Sequence, residues 1–210
     1  MFESFLWLPF LVAITALTLT PGVDTLLVMR NAARGGNRDG LLTSLGICMG
    51  LFVHASISAA GLSVILLGSA HLFTALKLAG ACYLIWLGVQ SLRSAFKSGA
   101  LQVEHPTTQC SVPALTSLRE GLLSNVLNPK PIIFYMAFLP QFIDPAHSAV
   151  AQSMMMAAVH FTIGMVWQGA LVLMVGRARQ WLQTPKVSKT MDSITGFLLI
   201  GFGVKLAGSQ

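Results

Sequence analysis

Apolar residues fall into six long runs, near Ser4–Met29, Leu41–Leu67, Leu72–Leu92, Leu118–Phe142, Ala149–Val175 and Met191–Ala207. A bilayer core of about 30 Å needs roughly 20 helical residues, or about 17 at the short end. Six transmembrane helices are therefore expected. The first, second and fifth runs exceed that length, which predicts tilt or broken geometry; the sixth is short and rich in Gly. The longest polar stretch, "KSGALQVEHPTTQCSVPALTS", divides the runs into two sets of three. One transmembrane domain over residues 1–210 results, with a first half at about 4–95, a polar linker at about 96–118 and a second half at about 119–207.

Helix breakers interrupt two of the runs: "TPG" at Thr20–Gly22 in the first and "NPKP" at Asn128–Pro131 in the fourth. "GACYLIWLGVQSL" in the third run echoes "GFLLIGFGVKLA" in the sixth. Two such halves, each with an odd number of spans, must lie in opposite membrane orientations, the inverted-repeat plan of many secondary transporters. Chance likeness among Leu- and Gly-rich spans is the competing reading. The fold expected is thus an all-α integral membrane protein of two inverted three-helix repeats with discontinuous first and fourth spans.

Composition agrees. Of 210 residues, 54% are hydrophobic and 10% charged, against roughly 25% charged in soluble domains, and the mean hydropathy is +0.72. There is too little polar material to cover a water-exposed globule. The net charge of +6 does not point to nucleic acid, because the basic residues are not clustered with aromatic platforms on a polar face. Ten of them sit on alternate connectors: Arg30, Arg34 and Arg38; Arg93, Lys97 and Arg119; Arg177, Arg179, Lys186 and Lys189. Short-loop Lys and Arg stay cytoplasmic, so connectors one, three and five face in and both termini face out. The N-terminus has no Lys or Arg before its apolar run and reads as a retained first span. Cys48, Cys82 and Cys110 lack metal-ligand spacing; the first two read as small core residues.

Candidate chemistry gathers at the two breaks. Pro129 and Pro131 cannot donate backbone hydrogen bonds, and the carbonyls they expose would be costly in hydrocarbon unless satisfied; Asn125 and Asn128 can help. Arg119 to Pro129 is about 15 Å of helix, deeper than a membrane edge. Lys130 at that depth costs about 2.5–3.5 kcal/mol on insertion scales and such residues usually face a cavity or a partner; snorkelling to the surface is the rival. In the first run Thr18, Thr20, Pro21 and Gly22 accompany Asp24, which reads either as a site for an ammonium or coupling proton or as the partner of Arg30 or another connector Arg. His54 and His160 lie inside the second and fifth runs, with hydrogen-bonded packing as the default and proton coupling as a second role; no third ligand joins them, so no metal site is expected. Asp144 reads as surface, Lys77 and Lys205 as interface anchors. Gly46 and Gly50 have small-xxx-small spacing for close helix contact, but scattered glycines leave self-association open. Without a Walker A loop, HExxH or serine elbow, neither ATP-driven transport by this chain nor enzymatic chemistry is expected.

The stretch Gly121–Phe142, "GLLSNVLNPKPIIFYMAFLPQF", closely resembles the fourth-span signature of the LysE/RhtB amino-acid exporter family. Agreement continues, in order, in the Pro-Gly of the first span, in "RNAARGGNRDGLLTSLGICMG" and in "KLAGACYLIWLGVQSLR", nearly the whole chain. The resemblance implies an exporter of amino acids or small derivatives in the bacterial cytoplasmic membrane, with six spans, proton-motive coupling and no cofactor. Asn128, Pro129 and Lys130 match the family motif directly. Its Pro-Gly-Pro is carried only as Pro21 and Gly22, because Val23 replaces the second Pro. The expected mechanism has Lys130 meeting a substrate carboxylate, while Asp24 or freed carbonyls near Thr20 and Asn128 meet its ammonium. With Asp24 almost alone among acids, neutral substrates such as threonine, homoserine or branched-chain amino acids are favoured over dibasic ones. An ion or metal exporter on the same scaffold and a non-transporting membrane scaffold are the alternatives.

Overall fold

In a computed structural model of the chain, residues 7–68, 70–96, 111–144, 146–174 and 185–208 are described, and their regular structure is all helical. The elements are α1 (Trp7–Leu19), α2 (Val23–Gly68), α3 (Ala70–Phe96), α4 (Ala114–Leu127), α5 (Pro129–Ala137), a 3₁₀ turn (Leu139–Phe142), α6 (Ala149–Leu173) and α7 (Pro185–Gly208). Lys97, Cys110, Arg177, Arg179 and Trp181, and with them most of the third connector and part of the fifth, lie outside the described residues. Two helical stretches, Val23–Gly61 and Ala149–Leu173, are long and apolar enough to cross a membrane, and α1 is a shorter apolar helix.

The first connector is not the open loop its polarity suggests. Helix continues on both sides of Gly35–Gly36, where the backbone departs from helical geometry and Gly36 takes φ 75°, a left-handed value that excludes most side chains. The two arms of α2 then lie side by side: Asn31 Nδ2 donates to Thr43 Oγ1 at 2.9 Å, and Gly40 leaves room for Ala32 and Val172. Charge closes this end of the molecule. Arg34 donates to Asp39 at 2.9 and 3.1 Å and to Glu120 on α4 at 3.1 Å, while Arg30 reaches Glu120 at 3.4 Å. The hydrogen bonds with Asp39, opposed by burial and reinforced by Glu120, raise the Arg34 pKa, so this guanidinium is permanently charged. Arg34→Met strands the buried Asp39 carboxylate. A loss of about 1–3 kcal/mol is expected, read as a lower melting temperature of the purified protein; an unchanged melting temperature would mean the cluster does not hold this end closed.

Close helix contact follows from glycine. A Cβ on Gly121 would strike the Thr43 carbonyl oxygen, and one on Gly46 the Leu118 carbonyl oxygen, so α4 and the second arm of α2 touch backbone to backbone. Gly88 and Gly196 face each other's carbonyls in the same way and draw α3 against α7. Lipid supplies no hydrophobic drive between helices, which makes such contact the main source of cohesion. The largest core cluster gathers Phe10 and Ile14 of α1, Phe134 and Tyr135 of α5, Phe138, Met156 of α6 and Leu199 of α7. The aromatic half of the fourth run is thus packing material, with ring centroids 4.7 Å apart for Phe134 and Phe138 and 4.9 Å for Phe138 and Phe142.

Three expectations shift. Helix α4 begins at Ala114, inside the stretch read as linker, and α7 begins at Pro185, before the sixth apolar run. Cys48 is buried but Cys82 is exposed, so only the first is a core residue. Asp144 is a surface residue, and it also caps its own loop: the Ala146 N–H at 2.9 Å and His147 at 3.0 Å hold its carboxyl below the usual range.

Candidate functional site

Both predicted breaks exist, and each arises from its own proline. Pro21 has no N–H, so it cannot donate to the carbonyl of Leu17. Helix α1 stops at Leu19, and α2 starts at Val23. Thr18 and Thr20 turn their hydroxyls back onto Ile14 and Ala16 carbonyls at 2.6 and 2.7 Å. In the second break, Asn128 precedes Pro129, which pushes it out of helical geometry; its φ and ψ are −76° and 119°. Asn128 then serves as N-cap of α5, its Oδ1 accepting from the Lys130 N–H at 3.0 Å. Pro129 and Pro131 occupy the first turn, where missing N–H groups cost nothing. The prolines therefore start a new helix rather than fracture an existing one. Asn-Pro-Lys is a stop, a cap and a restart in three residues. Among the carbonyls at the end of α4, that of Asn125 accepts from the Asn128 N–H and the His54 Nε2–H, both at 3.0 Å.

Lys130 joins the breaks. Its Nζ donates to the Leu17 carbonyl at 2.9 Å and the Thr20 carbonyl at 3.0 Å. The first of these is the acceptor that Pro21 leaves empty. The amine is thus turned inward rather than snorkelling, and it sits 3.9 Å from where a Cβ on Gly22 would lie. Asp24, in the first turn of α2, accepts from Ser124 Oγ at 2.7 Å and Asn125 Nδ2 at 2.9 Å. The alternative of pairing with Arg30 is overturned, because Arg30 is committed to Asn31 and Glu120. Among the described residues Asp24 makes no ion pair, and neither does Lys130.

A cavity of about 60 Å³ lies between these groups. Thr20, Gly22, Asp24, Asn125, Asn128, Lys130 and His160 line it, with Pro131 and Gln168; Pro21, Pro129 and His54 do not. Pro129 is exposed and Pro21 half-buried, so both shape the backbone without facing the cavity. His54 touches the cavity wall only through the Asn125 carbonyl. His160 is fully engaged: its Nε2 meets Thr18 Oγ1 at 3.0 Å and its Nδ1 the Tyr135 hydroxyl at 3.1 Å. Since Thr18 spends its proton on Ile14, Nε2 is the donor and Nδ1 the acceptor, which is the neutral Nε2–H tautomer. That volume admits only a few water molecules and is too small for an amino acid in this conformation.

Sequence reading did not single out Ser124, Tyr135 or Gln168. The signal for Gln168 was its spacing: with His160 and Gly164 it falls on one helical face at four-residue intervals. Ser124 and Tyr135 carried none, because each is defined by a partner far away in sequence.

A strongly apolar chain whose described residues fold as helices, with a polar cavity between two helix breaks, is a helical membrane protein. The chain belongs to the LysE type translocator family, whose model matches residues 15–210. It is 36% identical over 193 residues to the uncharacterized membrane protein YrhP of Bacillus subtilis, covering 90% of this chain and 92% of that one. A homoserine/homoserine lactone efflux protein of Salmonella typhimurium is 30% identical, with 97% of both chains covered. A leucine efflux protein of Klebsiella pneumoniae is 28% identical, covering 97% of this chain and 95% of that protein. No solved structure matches.

Proposed function

We propose that this protein is a secondary exporter of amino acids or small amino-acid derivatives in a bacterial cytoplasmic membrane, driven by the proton-motive force. The observation that carries the reading is the pair of opposite charges on one cavity. The Lys130 ammonium is held by backbone carbonyls and the Asp24 carboxylate by neutral donors. The two form no direct ion pair among the described residues, and a zwitterion of small size offers each a contacting counter-charge at once. Its carboxylate displaces the Leu17 and Thr20 carbonyls from Lys130, and its ammonium is received by Asp24. The two breaks let α1 and α5 move without unwinding, which is how discontinuous helices serve alternating access.

Six spans accommodate the observed helices when α1 is joined with the first arm of α2 and α4 with α5. The other four are the second arm of α2, α3, α6 and α7. The halves are then inverted repeats with both termini outside. Asp24 is the coupling group in this scheme, with His54 and His160 behind it. A non-obligate oligomer is compatible with the exposed apolar faces. Among the described residues no three His, Cys, Asp or Glu side chains come together as metal ligands.

Neutral substrates suit a cavity whose lining includes a single acid, Asp24. A second ammonium there would be buried without a counter-charge, at several kcal/mol. Vesicles loaded with labelled homoserine, threonine, leucine or lysine and given an imposed proton gradient are expected to lose the first three at least about tenfold faster than lysine. An uncoupler should abolish the difference from empty-membrane controls. Lysine-selective efflux would remove the neutral-substrate assignment, and no efflux of any amino acid would remove the exporter reading itself.

A further inference from the structure

Buried polar atoms are almost always partnered, and Gln168 breaks that rule on the cavity wall. It is 7% exposed, it lines the cavity, and its Oε1 has no hydrogen-bond partner. Other buried side-chain atoms share the condition, but those of Ser91, Ser117, Ser153 and Trp167 lie away from the cavity. Asn125 Oδ1 does belong to a lining residue, yet it is pressed against Gly50, where a Cβ would strike it. Gln168 is left as the lining amide with an unclaimed acceptor.

Its position along α6 gives that acceptor a direction. Gly164 faces Cys48, and Val172 faces Gly40. Gln168 therefore lies between those levels, toward the Gly35–Gly36 end. His160 and Lys130 meet the Thr18 level at the other end, through Thr18 itself and the Leu17 and Thr20 carbonyls. The Cα atoms of His160 and Gln168 are about 12 Å apart along the helix. Ile47 and Leu51 add apolar wall to the same cavity, so a zwitterion held at Lys130 and Asp24 would have Gln168 within the reach of its side chain.

We infer that Gln168 is a specificity-determining residue, whose amide hydrogen-bonds a hydroxyl or amide on the side chain of the transported amino acid. The inference rests on the exporter reading above and narrows its substrate class to short side chains with a polar tip. The terminal torsion of Gln is broad, so the amide can present either its oxygen or its nitrogen to the substrate. An apolar isostere leaves the amide as unsatisfied as it is in the empty site. That asymmetry is what lets a hydrogen-bonding site reject an analogue lacking the polar group.

The test uses two near-isosteric pairs, threonine with valine and homoserine with norvaline, in efflux from vesicles containing the full-length protein. The wild type should favour the hydroxylated member of each pair by about tenfold, the effect of one hydrogen bond near the top of its usual net range. Gln168→Met and Gln168→Leu should bring both ratios toward unity. A ratio that survives in a folded variant overturns the assignment to Gln168. Equal export within both wild-type pairs overturns it as well and leaves the exporter reading standing, whereas no export of any of the four removes both. Should neither variant fold, the wild-type ratios decide.

Discussion

Lys130→Met should abolish amino-acid efflux, by at least about 100-fold, while leaving a folded, membrane-inserted protein. Two opposed terms make the second half of that expectation a physical one. The substitution leaves the Leu17 and Thr20 carbonyls without donors, at about 1–3 kcal/mol each. It also removes an ammonium at membrane depth, recovering about 2.5–3.5 kcal/mol. The two roughly offset, so stability changes little. Transport has no such compensation, since hydrogen bonds to a charged group contribute about 1.5–3 kcal/mol and only the amine can offer them to a carboxylate. Efflux from loaded vesicles, beside size-exclusion profiles of the purified variant, measures both halves. Loss of assembly together with loss of flux would instead favour a structural network, in which the amine serves only to satisfy the broken backbone.

Gly121→Val is expected to have the largest effect on folding. The α2–α4 contact brings the Gly121 Cα against the Thr43 carbonyl, and the reciprocal contact brings Gly46 against the Leu118 carbonyl. A branched side chain forces the helices apart by more than a rotamer change can absorb, because the obstacle is backbone. Overpacking of this kind costs about 3 kcal/mol or somewhat more. The same displacement would carry Ser124 and Asn125 away from Asp24, so residual folded protein should also be inactive. The measurement is the yield of monodisperse protein and its melting temperature. A variant as stable as wild type would show that the two helices do not depend on backbone contact.

The breaks at Thr20–Gly22 and Asn128–Pro131 were legible because proline and glycine act locally: each dictates its own backbone, whatever surrounds it. The asymmetry of the second break was less so. Two prolines in an apolar run read as damage to one helix, and only the Asn128 cap reveals a second helix beginning there. What Lys130 touches could not be read at all. Its acceptors are main-chain oxygens 113 and 110 residues away, one of them belonging to an apolar leucine whose side chain advertises nothing. Asp24 was ambiguous for the same reason. Proximity in sequence suggested Arg30, whereas the fold sends Arg30 to Glu120 and gives Asp24 to Ser124 and Asn125. Hydropathy also shortened α7, because its first turns carry Lys186, Ser188 and Lys189, and polar residues extend a helix beyond an apolar run as easily as they end one.

The most direct measurement is a magnetic-resonance distance in the full-length protein, between lysine ε-¹⁵N and the ¹³C-labelled carboxyl carbon of bound homoserine. A carboxylate received by the Lys130 amine places the two nuclei within about 4 Å, and the dipolar coupling should vanish in Lys130→Met under conditions where homoserine remains in excess. A bound amino acid that shows no coupling to any lysine nitrogen, or a coupling that persists in the variant, would contradict the assignment of Lys130 as the group that receives the substrate.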